Sequence, residues 1–174
     1  MQHSQFRLSA VQKILDEVEQ VRLASQRKQL NFTAVDEPAL VRKLMRVNSP
    51  MIVFQSWSGS AAPGGSISYR FGVYNPDPTN WIWLFGSAFI GPANFVSSVG
   101  EAVCARDRRF AELTAPSFPG QQVAPGTIVN LEFSMPIPMT AEKTTFQGNT
   151  MLFQADWHDV GTYLDRGFWP FDVI

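Results

Sequence analysis

The chain has 174 residues and a formal net charge of −1, so no overall electric field directs it to nucleic acid or to a membrane. Hydrophobic residues make up 45% of the sequence, enough apolar material for one domain with an appendage. The single cysteine, Cys104, excludes an internal disulfide, and no apolar run approaches the roughly 18 residues of a membrane span. Because the N-terminus lacks a signal-peptide pattern, we expect a soluble protein, cytoplasmic or released without a recognisable signal.

The first 49 residues are predicted to be a helical segment. Over residues 9–29, apolar residues recur at steps of three and four, which places five of them on one helix face: Val11, Ile14, Leu15, Val18 and Val21. A second, shorter helix is predicted after Asp36, a typical N-cap residue, with Pro38 in its first turn.

The apolar face of the first helix needs a partner, because an isolated helix of about twenty residues is marginal in water. The rest of the chain or a second subunit can supply that surface. The first 50 residues carry a net charge of +3 and the remainder −4, which slightly favours an intermolecular arrangement. We therefore expect a homo-oligomer or a protein partner bound through this helix face, with Ile14 and Val18 near the centre.

After Pro50 the hydrophobic period becomes that of β-strands. Residues 66–74 and 128–133 alternate polar and apolar side chains, as strands with one buried face do. Phe71, Val73, Leu131 and Phe133 are expected to point into the core. Turn signals rich in proline, glycine and asparagine, including residues 147–149, separate further short strands. These strands are predicted at residues 51–57, 81–90, 95–104, 127–135, 151–157 and 163–173. The prediction is a mainly β protein, an antiparallel sandwich of seven or eight strands over residues 50–174, preceded by one or two α-helices.

A family resemblance starts at Pro63, where a Pro-Gly turn leads into the alternating strand and then an Asn-Pro turn at residues 75–76. This order resembles the signature of CARDB-like immunoglobulin-fold modules. Residues 123–133, a turn leading into a second alternating strand, look like another such element. The resemblance covers about residues 50–173. It implies an immunoglobulin-like sandwich and a noncatalytic role in adhesion, spacing or assembly.

The sequence contains no recognisable catalytic motif. It lacks a phosphate-binding loop, a dinucleotide glycine fingerprint and a nucleophile elbow, so we expect no enzymatic activity and no cofactor. Asp156, His158 and Asp159 are interpreted as a polar strand end, because zinc needs three or four converging ligands. Cys104 is interpreted as a core residue, and residues 75–80 as a turn rather than a calcium loop.

Three functional hypotheses follow. The first is a noncatalytic structural or interaction module that self-assembles or binds a protein through the N-terminal helix. The second is a carbohydrate-binding module in which sugars stack on exposed tryptophans, with Trp81, Trp83 and Trp169 as candidates, although core packing is the stronger interpretation of most tryptophans in a sandwich. The third is a lipid-active or pore-forming protein, whose basic N-terminal helices approach membranes and whose sandwich assembles, although a membrane is not the expected partner. No nucleic-acid partner is expected.

Overall fold

The computed structural model describes residues 2–46, 49–93, 121–155 and 161–174. These ranges hold two helices, α1 (Gln2–Arg27) and α2 (Glu37–Arg46). They also hold nine strands: β1 (Asn31–Ala34), β2 (Met51–Trp57), β3 (Ser60–Ala61), β4 (Ser66–Tyr74), β5 (Ile82–Pro92), β6 (Gln121–Val123), β7 (Ile128–Pro136), β8 (Thr145–Ala155) and β9 (Gly161–Val173). The strand predicted to end at Cys104 and the polar cluster at residues 156–159 lie outside the described residues.

The strands form two sheets. Sheet A has the order β1-β2-β4-β7, and sheet B has the order β3-β9-β8-β5-β6. Neighbouring strands are antiparallel except β3 and β9, which are parallel. The sheets enclose one core, so the chain is a mainly β, immunoglobulin-like sandwich preceded by helices, as the sequence predicts. Neither helix in the described part of the chain is long and apolar enough to cross a bilayer.

Alternation along the strands builds the core between the sheets. On β4, Ile67, Tyr69 and Phe71 are buried while Ser66 and Ser68 are exposed, because successive side chains point to opposite faces. The predicted inward positions are confirmed for three of the four residues, Phe71, Val73 and Leu131. The side chain of Phe133 lies outside the described part.

Residues 147–149 lie inside β8, so the turn predicted there is wrong. Gly148 is directly opposite Trp169 of β9, and a Cβ atom on Gly148 would come within 2.2 Å of the indole ring. The glycine is therefore required by close packing, not by a turn. Its missing side chain lets the Trp169 ring lie flat in the core, where it stacks on Tyr69 with ring centroids 4.6 Å apart.

The helices cover the outer face of sheet A. Leu40 of α2 and an apolar stripe of α1 pack on Met51, Val53 and Phe54 of β2 in a second buried cluster. All seven residues of β2 are buried, because sheet B covers one face and the helical layer covers the other. The predicted N-cap is confirmed, since Asp36 Oδ1 accepts a hydrogen bond from the Ala39 amide at 2.7 Å.

The first 49 residues also contribute a strand to the sandwich. β1 follows α1 and pairs antiparallel with β2, with Asn31 opposite Trp57 and Ala34 opposite Phe54. Beyond the strand, the Val35 amide donates to the Val53 carbonyl at 2.9 Å. The segment is therefore attached to sheet A by backbone hydrogen bonds as well as by the apolar contacts of its helices.

Candidate functional site

The predicted interface residues of α1 are packed within the chain. Val11 and Ile14 are buried, with Ile14 only 2% exposed, and the other three pack against the same cluster: Leu15, Val18 and Val21. Of the two surfaces that the sequence left open for the helix, the structure shows the one within the chain, the outer face of the sandwich. β2 begins with the apolar run Met51–Phe54, and Tyr74 of β4 joins it in the cluster under the helices.

A buried polar contact fixes the C-terminal half of α1. The hydroxyl oxygens of Ser25 on α1 and Ser56 on β2 are 2.7 Å apart, and Ser25 also donates to the Val21 carbonyl at 2.8 Å. A buried hydroxyl pair of this kind is costly to separate unless water replaces it. Self-association through the apolar face of α1 would therefore require the helix to leave its own sandwich.

The four tryptophans in the described part of the chain separate into two groups. Trp57 is 6% exposed and Trp169 is 0% exposed, so both belong to the core. Trp169 faces inward from β9, and its Nε1 donates to Thr150 Oγ1 at 3.0 Å. The hypothesis that Trp169 stacks on a ligand is therefore wrong, because no face of its ring reaches solvent. Trp81 and Trp83, in contrast, are 62% and 46% exposed.

β5 determines where Trp83 points. Ile82 and Leu84 contact the core, so Trp83 between them faces away from it. Trp83 is directly opposite Gln122 of β6, whose side chain is also exposed. Trp81 directly precedes the strand. These three residues, Trp81, Trp83 and Gln122, are here called the tryptophan surface.

A buried asparagine holds the loop that leads to Trp81. Asn75, at the end of β4, is fully buried, and its Nδ2 donates to the carbonyls of Asn80 and Val123, each at 3.0 Å. Its Oδ1 accepts the Asp77 amide at 3.0 Å. One side chain thus connects β4, the start of β5 and β6, and it fixes the backbone directly before Trp81.

Asp77 closes the same loop. Its carboxylate accepts hydrogen bonds from the amides of Thr79 and Asn80, both at 2.8 Å, and from Asn80 Nδ2 at 3.1 Å. Hydrogen bonds from these two backbone amides lower the pKa of Asp77 to about 2, and the bond from the Thr79 amide contributes most. The carboxylate is ionised at neutral pH and is committed to the turn, so residues 75–80 form a closed turn.

The tryptophan surface combines exposed aromatic side chains with uncharged polar ones. The exposed indole of Trp81 follows a hydrogen-bonded turn, and that of Trp83 lies on a strand. Asn80 directly precedes Trp81 in the sequence, and Gln122 lies opposite Trp83 on the neighbouring strand. Among the described residues, no group of three histidine, cysteine or acidic side chains is placed to hold a metal ion. Sequence reasoning missed Asn75 and Gln122, although the Asn-Pro-Asp-Pro run before Trp81 indicated a rigid turn.

Comparison with solved structures gives distant likenesses. A CARDB domain from Pyrococcus furiosus, solved with di-metal ions, has a TM-score of 0.44 and 9% identity, covering 72% of this chain and 90% of that domain. The C-terminal domain of Wzt has a TM-score of 0.49 and 9% identity over 83% of this chain and 78% of that one. A Niemann-Pick type C2 protein from the Japanese carpenter ant has a TM-score of 0.40 and 8% identity over 72% and 93%.

No family model matches the sequence, and no curated protein matches it. One of these structures is a CARDB domain, the type of module that the sequence resembles. At identities of 8–9% the likenesses concern the fold and assign no ligand or activity to this chain. The two sheets and their strand order define the class of protein, an immunoglobulin-like β-sandwich.

Proposed function

We propose that the protein is a noncatalytic binding module that holds a carbohydrate chain on the tryptophan surface. The observation that supports this is the exposure of Trp81 and Trp83 on a fixed turn and strand. Large aromatic side chains exposed together on a rigid support favour a binding site, because few side-chain torsions have to be ordered on binding.

The surroundings of the two indoles favour a sugar over a protein ligand. The neighbouring exposed side chains, Thr79, Asn80 and Gln122, carry hydroxyl and amide groups. Thr79 Oγ1 and Asn80 Nδ2 donate to Asp77, so these two residues offer their oxygens to sugar hydroxyls as acceptors, whereas the amide of Gln122 can donate as well as accept. The carboxylate of Asp77 is occupied by the turn itself. A protein interface would have a larger apolar centre around the aromatic anchors.

Binding to an array of soluble oligosaccharides, followed by affinity measurement on those retained, tests the proposal. We expect Trp81→Ala and Trp83→Ala each to weaken binding by at least about tenfold, since a buried tryptophan commonly dominates an interface. Binding should also shift the tryptophan fluorescence of the wild type, and this shift should diminish in both variants.

Met139→Ala is the matched control, because Met139 is a large apolar side chain that is 79% exposed elsewhere on the molecule. Its affinity should equal that of the wild type. An array that retains no glycan, or glycan binding unchanged in both tryptophan variants, would overturn the carbohydrate assignment. Release of new reducing ends from a retained glycan would overturn the noncatalytic part.

A further inference from the structure

Sheet A ends on one side in a long, regular strand. β7 has nine residues and pairs with β4 along its whole length without a register shift. No strand in the described ranges pairs with its other side. The remaining edge strands of the described residues are short, with four residues in β1, two in β3 and three in β6. A long edge presents a row of backbone donors and acceptors that can pair with another strand.

β7 has few of the features that prevent such pairing. Proteins commonly protect sheet edges with bulges, prolines and charged side chains. β7 has no bulge, and its only proline, Pro136, is its last residue. Its only charged residue is Glu132, which accepts a hydrogen bond from Arg70 of β4 at 3.4 Å. The opposite edge, β1, is short and is packed against α1.

We propose that β7 pairs antiparallel with β7 of a second copy around a two-fold axis, which joins two copies of sheet A into one continuous sheet. Around such an axis β7 of each copy forms one half of the interface, so the side chains of β7 must be complementary to those of an identical strand. Residues directly opposite in an antiparallel pair point to the same face. An axis through any residue of β7 therefore keeps its buried face aligned with the buried face of the copy.

Charge limits the register of this pair. An axis through Glu132 gives the longest overlap but places two carboxylates directly opposite each other, which is destabilising. Axes through Leu131 and through Phe133 avoid this with equal overlap, and they place Asn130 or Ser134 opposite Glu132 of the second copy. We assign the axis at Leu131, because the amide group of Asn130 offers two N–H donors to the carboxylate whereas the hydroxyl of Ser134 offers one. Leu131, which is buried, then lies opposite Leu131 of the second copy. This fit between identical strands is the reason to assign a second copy, rather than a foreign strand, as the partner.

Substitutions at position 130 test the register. Asn130 is exposed and lies opposite Gly72 of β4, and it lines a surface cavity that Glu17 and Arg70 also line. Because these two side chains carry opposite charges, a charge placed at position 130 meets one attraction and one repulsion within the chain. Asn130→Glu puts like charges at two symmetric positions of the dimer, and we expect the dimer Kd to rise by about threefold to tenfold. Asn130→Lys should lower the Kd by a similar factor. Asn130→Glu combined with Glu132→Lys should restore dimerisation. Sedimentation equilibrium over a concentration series measures each Kd.

Thr33→Glu is the matched control, because Thr33 is exposed on β1, the opposite edge of sheet A. Its Kd should equal that of the wild type. A chain that stays monomeric at about 0.1 mM, or a Thr33→Glu variant weakened as much as Asn130→Glu, would overturn the proposal. Trp81→Ala should leave the dimer intact, since the tryptophan surface belongs to sheet B. Failure of glycan binding and failure of dimerisation are therefore separate results.

Discussion

At the scale of single residues, Asp77 stabilises the loop that carries Trp81 by hydrogen bonding. Its carboxylate is exposed, yet it accepts five hydrogen bonds from Thr79 and Asn80 at 2.8 to 3.3 Å. These bonds favour the ionised form and hold its pKa at about 2, below the ordinary value of 3.8. The ionised carboxylate therefore contributes more to the folded state than the neutral acid would.

We predict that this contribution depends on pH in acid. Because the folded-state pKa lies below the unfolded value, the stabilisation is complete above pH 3.8 and is lost as the pH falls through about 2. The difference in unfolding free energy between the wild type and Asp77→Asn should therefore be constant near neutrality and shrink between these two values. Urea unfolding monitored by tryptophan fluorescence at several pH values measures it. A difference that persists unchanged through acid would contradict the assignment.

At the scale of elements, α1 and β2 depend on each other. β2 is apolar on its outer face as well as its inner one, because it lies between sheet B and the helical layer. α1 supplies the apolar stripe that covers that outer face, and Ser25 and Ser56 add a buried polar contact. Without its neighbour, each element would expose apolar surface to water.

We predict that Ile14→Ala destabilises the protein by about 2–5 kcal/mol, because the side chain is 2% exposed and its loss leaves a cavity under α1. Leu23→Ala on the same helix is the control. Leu23 is 42% exposed, so its loss should change the unfolding free energy by no more than about 0.5 kcal/mol. Both values come from denaturant unfolding at several protein concentrations. An Ile14→Ala effect that grows with protein concentration would support the intermolecular helix interface predicted from the sequence.

At the scale of the whole molecule, side chains connect the two sheets across one side of the sandwich. The amide of Ile52 on β2 donates to Asp165 Oδ2 of β9 at 2.9 Å, next to a register shift in β2. Trp57 Nε1 donates to the Pro170 carbonyl at 2.6 Å. Asp165 therefore accepts a backbone donor from the opposite sheet and helps to fix how the sheets face each other.

We predict that Asp165→Ala destabilises the sandwich by about 1–3 kcal/mol, because it leaves the part-buried amide of Ile52 without this acceptor. Asp172→Ala on the same strand is the control, since Asp172 accepts only an exposed hydrogen bond from Thr145 among the bonds described. Its effect should be markedly smaller. Chemical denaturation of both variants measures the difference, and equal losses would show that the inter-sheet bond adds no particular stability.

The strongest sequence patterns predicted their elements accurately. The predicted bounds of β2 and β4 agree with the structure at both ends, because clear turn residues or proline flank apolar or alternating runs. The short strands β1, β3 and β6 were missed, since two to four residues are too few to display a period. β8 was shortened because Gly148 was taken as a turn residue, whereas its role is to admit Trp169.

The sequence by itself determined the sandwich, its main strands and the apolar stripe on α1, because these depend on the local period of polar and apolar residues. Only the tertiary structure decided what covers that stripe and which tryptophans reach solvent. Trp83 and Trp169 both occupy strands, yet one is 46% exposed and the other fully buried. The reason is that burial depends on what packs against each face of a sheet, and that neighbour is distant in the chain.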